Sequence, residues 1–166
     1  MNVNIALLTV TDTRTLDTDK SGNILEKKIK KAKHKLIDRK ICKDSKKEIK
    51  KIIKKWLNKK KVDVIITTGG TGLTGRDITP EALNEVADKH IPGFGEVFRT
   101  ISLKTVGTSS IQSRACAVLA NGKYIFALPG SSGGVTDAWD KILIHQLDVN
   151  HKPCNFVELF PRLKEK

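Results

Sequence analysis

The segment Thr67 to Leu83, TTGGTGLTGRDITPEAL, leaves an apolar run (Val62, Val64, Ile65, Ile66) through two threonines, passes four glycines in seven residues, and enters a helix beyond Arg76 and Asp77. A strand, a flexible polar loop and a helix start in immediate succession restrict the chain to folds that carry ligands at strand exits. Glycines let the backbone turn through positive φ and let a ligand approach the main chain. Successive free N–H groups in such a turn cradle an anion, and a helix N-terminus favours the same charge. The loop is therefore a candidate phosphate or carboxylate site, with Asp77 beside it as a metal or acid/base group.

The remaining chain supplies partners for this unit. Residues 3 to 10 form an apolar, β-rich run, the pattern of a central strand buried on both faces. A long polar connection follows through Asp12, Asp17, Asp19, Ser21 and Gly22 into a helix carrying Ile24, Leu25, Ile29, Ala32 and Leu36. Residues 36 to 42 give a second strand. Ser45 and Glu48 then make a capping box, and Ile49, Ile52, Ile53, Trp56 and Leu57 trace one face of a helix. Thr79 is read as an N-cap with Pro80 at the first helical position. Ile91 to Gly95 is read as a break before a short helix, and Gly107 to Ser110 as a polar turn. Two β-compatible runs flank Asn121-Gly122, the strongest short hairpin signal. The second run exits through Pro129-Gly130-Ser131-Ser132-Gly133-Gly134 into a helix that holds Val135, Ala138, Trp139, Ile142, Leu143 and Leu147. Together these predict one domain over 1–166, a three-layer α/β/α sandwich with a mostly parallel sheet plus a β-hairpin. The apolar tail, about 150–166, is expected to pack on the body or on a neighbouring subunit.

Charge and cysteine usage narrow the chemistry. Cys42, Cys116 and Cys154 are odd in number and widely spaced, which suggests neither a disulfide framework nor a zinc site. No apolar run reaches membrane-spanning length, and MNVNIALLTVTD reads as a strand without a basic leader, so no membrane partner and a cytoplasmic location are expected. Much of the net charge of +13 comes from lysines between Lys20 and Lys61. Only Arg39 and Trp56 supply an arginine or aromatic there, so a solvated surface is favoured over a nucleic-acid partner. Such a field still attracts small anions.

Gly70, Gly72 and Gly75 fit GxGxxG, yet they follow the third strand, and no acidic residue ends a strand about 20 residues later, against a dinucleotide fold. No Gly-Lys-Ser/Thr follows to make a P-loop. Asp12, Asp44 and Asp77 each fall at a strand exit, and Mg²⁺ prefers one or two carboxylates with substrate phosphate oxygens. Ser131 and Ser132 do not form a nucleophile elbow, and the histidines have neither metal spacing nor a nearby nucleophile.

The glycine segment, together with IPGFGEVFR, GTSSIQSRA, LPGSSGG and HKPCNFVEL, resembles the molybdenum cofactor biosynthesis protein B family (MoaB), kin of the molybdopterin adenylyltransferases such as MogA. The likeness runs from about Val3 to Leu159. It implies a site for molybdopterin and ATP with Mg²⁺, adenylyl transfer from ATP to the terminal phosphate of molybdopterin with release of pyrophosphate, and a homotrimer or homohexamer. By this resemblance, Gly69, Gly70, Thr71 and Gly72 hold nucleotide phosphates, and Pro129, Gly130 and Ser131 line the nucleotide side. Asp77 is the essential acid that orients Mg²⁺, Asp44 is the second acid, and Asp12, Ser21 and Gly22 approach the pterin phosphate. The same resemblance admits a paralogue that binds pterin or nucleotide without turnover.

Overall fold

A computed structural model describes residues 2–165. The strands β1 (Asn4–Val10), β2 (Lys35–Cys42), β3 (Val64–Thr68), β4 (Lys89–His90), β5 (Cys116–Ala120) and β6 (Lys123–Leu128) form one sheet in the order β2-β1-β3-β6-β5-β4. The first four in that order run parallel, while β5 is antiparallel to β6 and β4. The sheet is therefore mixed, and the expected hairpin supplies its antiparallel part.

Alternation along the strands divides the core. Ile5 and Leu7, Val64 and Ile66, and Tyr124, Phe126 and Leu128 face one side. Helices α1 (Lys20–Lys31), α4 (Pro92–Val106) and α5 (Ser132–Ala138) cover that side. Ala6, Leu8, Ile65, Ile125 and Ala127 face the other, under α2 (Lys46–Leu57) and α3 (Thr79–Asn84). Because β1 feeds a helix on one face and β2 a helix on the other, the chain reverses direction across the sheet between β1 and β3. Open α/β sheets bind ligands at such a switch point, outside the carboxyl ends of the strands.

Several local expectations change. Leu36 belongs to β2, since α1 ends at Lys31. Residues 91–95 do not break the chain: Pro92 opens the 15-residue α4, because a proline at the first helical position gives up no needed N–H. Gly107–Gln112 forms a 3₁₀ turn, and α5 continues through a π turn (Trp139–Leu143) into α6 (Ile144–Gln146). The tail packs on the body. Phe156 sits 4.6 Å from Tyr124 and 5.6 Å from Phe126 between ring centroids, and Val157 is buried. No helix among the described residues is long and apolar enough to cross a membrane.

A buried ion network fixes the first crossover. Asp19 caps α1 by accepting from the Gly22 amide (2.9 Å) and also accepts from the Thr9 hydroxyl (2.6 Å). Arg39 of β2 bridges Asp19 (2.9 Å) and Glu26 (2.6 Å). Burial pushes the Asp19 carboxyl up, but the Thr9, Gly22 and Arg39 hydrogen bonds outweigh it and hold the group below the usual carboxylate range. A depressed acid adds stability that is complete above its unfolded value, about 4, and lost as pH falls through the folded value. Arg39→Met strands that carboxylate and is expected to cost about 3 kcal/mol. Denaturant unfolding at neutral pH measures the loss. Asp19→Asn should in addition flatten the acid limb of a melting-temperature profile.

Candidate functional site

Four parallel strands deliver their exits to one cleft of about 1120 Å³. Asp12 comes from the exit of β1, Asp44 from that of β2, the glycine loop and Asp77 from that of β3, and Pro129 to Gly134 from that of β6. The wall farthest from the sheet is built by α4, the 3₁₀ turn and α5, with Ser102, Thr105, Ser109, Ser110, Gln112 and Asp137.

The glycine loop owes its shape to two positions that no side chain fits. Gly69 has φ +100°, and an added Cβ would stand 2.2 Å from the Val10 carbonyl oxygen. Gly70 has φ +67°, with the Thr79 hydroxyl 2.4 Å from the same point and an Asp44 carboxylate oxygen at 3.0 Å. Four consecutive carbonyls are then tied to the protein. The Thr79 hydroxyl donates to Gly69 O (2.9 Å), and the Thr79 amide to Gly70 O (3.0 Å). Arg114 donates from its amide to Thr71 O (2.9 Å) and from Nε to Gly72 O (2.7 Å). A trans peptide points its N–H opposite its carbonyl, so anchoring this row turns the following amides away from the anchors. The Gly70 and Thr71 amides have no protein acceptor among the described residues. They are free for an anion.

The carboxylates divide into two kinds. Asp77 braces the loop by accepting from the Thr74 amide (2.9 Å) and hydroxyl (2.7 Å). Burial pushes it up, but these bonds, the Gly72 amide and the charge of Arg114 hold it below the usual range. Asp12 is ion-paired with Arg76, the main cause of its lowered pKa, and accepts from the Asp44 amide at 3.2 Å. Asp44 differs. It accepts no side-chain hydrogen bond among the described residues, and burial, followed by the charges of Asp12 and Asp77, raises its pKa against the partial offset of Arg76. A carboxylate with open lone pairs, pressed by two others, suits a hard cation. No group of three or more His, Cys, Asp or Glu able to hold a metal ion occurs among the described residues.

Of the residues singled out in the sequence, Asp12, Asp44, Gly69, Gly70, Thr71, Gly72, Asp77, Pro129, Gly130 and Ser131 line the cleft. Ser131 spends its hydroxyl capping α5 through the Gly134 amide (3.1 Å). Ser21 lies instead in an adjoining hollow of about 270 Å³ with Arg14 and Lys20. Gly22 lines neither cavity. It is packed under Asp19 and Arg39, 2.0 and 2.8 Å from where a Cβ would stand, because the first turn of α1 needs space for its cap. Sequence reasoning missed Arg114 and the role of Thr79, although Arg114 lies within the GTSSIQSRA run. It also missed the hydroxyl-bearing outer wall. Between positions 20 and 61 stand 19 basic and 4 acidic residues, which leaves the remainder of the chain at −2 against a total of +13. The positive field thus belongs to the α1–β2–α2 half, beside the exits that carry Asp12 and Asp44, where it draws anions toward the cleft.

A doubly wound domain with a glycine-lined cleft at its switch point is the class that fold and site define. A family model described as a probable molybdopterin binding domain matches residues 6–149. The chain belongs to that family, and within it to the molybdenum cofactor biosynthesis protein B family. The protein of that name from Escherichia coli (strain K12) is 43% identical over 161 residues, covering 97% of this chain and 93% of its own. A crystal structure of molybdenum cofactor biosynthesis protein B is 39% identical with a TM-score of 0.89, covering 100% of this chain and 98% of its own. The tungsten cofactor synthesizing protein MoaB from Pyrococcus furiosus is 33% identical with a TM-score of 0.77, covering 86% and 91%.

Proposed function

We propose that the protein acts in molybdenum cofactor biosynthesis as a Mg²⁺-dependent adenylyltransferase. A terminal phosphate oxygen of molybdopterin attacks the α-phosphorus of ATP, the α–β phosphoanhydride bond breaks, and pyrophosphate leaves. The observation that carries this reading is the meeting of a preformed amide cradle at Gly70 and Thr71 with the open Asp44 carboxylate. Transfer of this kind needs positioning and charge neutralisation more than a covalent nucleophile. The Gly70 and Thr71 amides hold phosphate oxygens, while Asp77 keeps the loop in register through Thr74. Asp44, with Asp77 nearby, would hold Mg²⁺, and Arg76 stands beside Asp12 at the mouth. When bound, Mg²⁺ neutralises charge building on the phosphate oxygens and the departing pyrophosphate. A single ligand pocket commonly measures roughly 300 to 1,000 Å³. The cleft, at about 1120 Å³, lies at the upper end of that range.

Assembly into a homotrimer or homohexamer in the cytoplasm completes the reading. Exposed Val97, Leu103, Val106 and Ile111, along α4 and the turn after it, support self-association. The test is incubation with molybdopterin, ATP and Mg²⁺. Equal amounts of adenylylated molybdopterin and pyrophosphate are expected, and their absence with active substrates rejects the enzyme. One observation favours a second reading, an oligomeric pterin or nucleotide binder: Thr74 doubly engages Asp77, so this acid is committed to the loop. Saturable binding of ATP or molybdopterin without pyrophosphate release would identify that case.

A further inference from the structure

We infer that Arg114 is a positioning residue for the anion cradle, setting its geometry without touching the ligand. This rests on the cleft described above as a phosphate site. Arg114 does not line that cleft. It nevertheless makes four contacts to the segment between Thr71 and Glu81. Its amide holds Thr71 O (2.9 Å), Nε holds Gly72 O (2.7 Å), Nη2 holds Asp77 O (2.9 Å), and Nη1 pairs with Glu81 on α3. One planar guanidinium thus fixes both ends of the 72–77 turn and anchors it to the helix that follows. Guanidinium is suited to this because its donors diverge in a rigid fork, whereas an ammonium is a compact charge on a flexible stem.

The mechanism of the effect is peptide orientation. With the Thr71 and Gly72 carbonyls drawn toward Arg114, the Thr71–Gly72 and Gly72–Leu73 peptides cannot flip. They hold the chain just beyond the Gly70 and Thr71 amides, whose own planes Thr79 sets through Gly69 O and Gly70 O. The guanidinium charge also adds to the forces that keep Asp77 ionised as the acceptor for Thr74. Arg114 follows directly on Gln112 and Ser113, which line the cleft. It therefore links the outer wall to the glycine loop, and the two sides of the cleft hold one spacing.

The experiment compares wild type, Arg114→Met, Arg114→Lys and Arg99→Met. Arg99 serves as the control because it holds the Ser113 and Ala115 carbonyls (3.4 and 3.1 Å) and, among the described residues, makes no hydrogen bond to the glycine loop. Exchange of the hydrogen-bonded Thr74, Asp77 and Thr79 amides in the ligand-free proteins should accelerate about tenfold or more in Arg114→Met and stay unchanged in Arg99→Met. Titration with ATP and Mg²⁺ should show about tenfold weaker binding for Arg114→Met, with Arg114→Lys intermediate. Millimolar guanidinium should partly restore Arg114→Met and leave Arg99→Met unaltered, an effect that general loss of stability would not produce. Unchanged exchange and affinity in folded Arg114→Met overturn the inference. Faster loop exchange in a series whose wild type does not bind ATP supports the positioning role and rejects the nucleotide reading of the cleft.

Discussion

Asp44→Asn is expected to lower the rate of adenylyl transfer by about two to three orders of magnitude while weakening ATP binding much less. The carboxylate stands over the glycine loop, 3.0 Å from the position a Gly70 Cβ would take, and its lone pairs are not spent on neighbouring side chains. Burial, together with Asp12 and Asp77, raises its pKa. The sign for stability follows. An acid whose folded pKa lies above the unfolded value loses stability as pH rises from the unfolded value through the folded one, and it stays destabilising at neutral pH. Asp44→Asn removes that penalty, so the variant should melt higher than wild type at pH 7 and show no such decline on the acid side. A rate measurement with saturating substrates and a melting curve on the same preparation check both halves. Loss of activity with a gain of stability distinguishes a site group from a structural one.

Gly69→Ala should have the second large effect, destabilising the fold by at least about 3 kcal/mol and abolishing ATP binding in any folded fraction. The methyl would stand 2.2 Å from the Val10 carbonyl at φ +100°, where β1 and β3 lie side by side and the Gly69 amide is bound to Leu128 O at 3.0 Å. Neither strand can retreat without breaking the parallel sheet at its switch point. Gly75→Ala is the matched control, since a Cβ there meets nothing within 4 Å. Its cost should stay within about 0.5 kcal/mol. Chemical denaturation and calorimetric titration of the two variants separate the effects.

Local features of the fold were legible because they depend on neighbours in sequence. The Ser45 and Glu48 capping box opens α2, with Ser45 accepting from the Glu48 amide at 3.4 Å, and the Ile49 to Leu57 stripe packs on the sheet. The hairpin around Asn121 also follows from its turn residues, Asn121 at φ 47° and Gly122 at φ 69°. What escaped depends on long-range contacts. Thr79 reads as a helix cap, but its hydroxyl turns back ten residues to Gly69, and Ile78 occupies the capping position. Arg114 reaches 42 and 37 residues back, a relation that no local pattern encodes.

The candidate site divides in the same way. Glycines and acids at strand exits identify the cleft, because strand order in a doubly wound sheet brings those exits together. Which acid remains open is settled only by partners: Thr74 engages Asp77, Arg76 engages Asp12, and Asp44 is left. Ser21 and Gly22 lie close in sequence to the β1 exit, yet the cap of α1 takes them into the adjoining hollow and the protein interior.

The most direct test is a crystal structure of the protein soaked with ATP and Mg²⁺. The triphosphate is predicted to lie on Gly69 to Gly72, with oxygens accepting from the Gly70 and Thr71 amides at about 3 Å and the ion between the phosphates and Asp44. A triphosphate bound elsewhere, with the loop amides empty and Asp44 without a cation, would contradict the account.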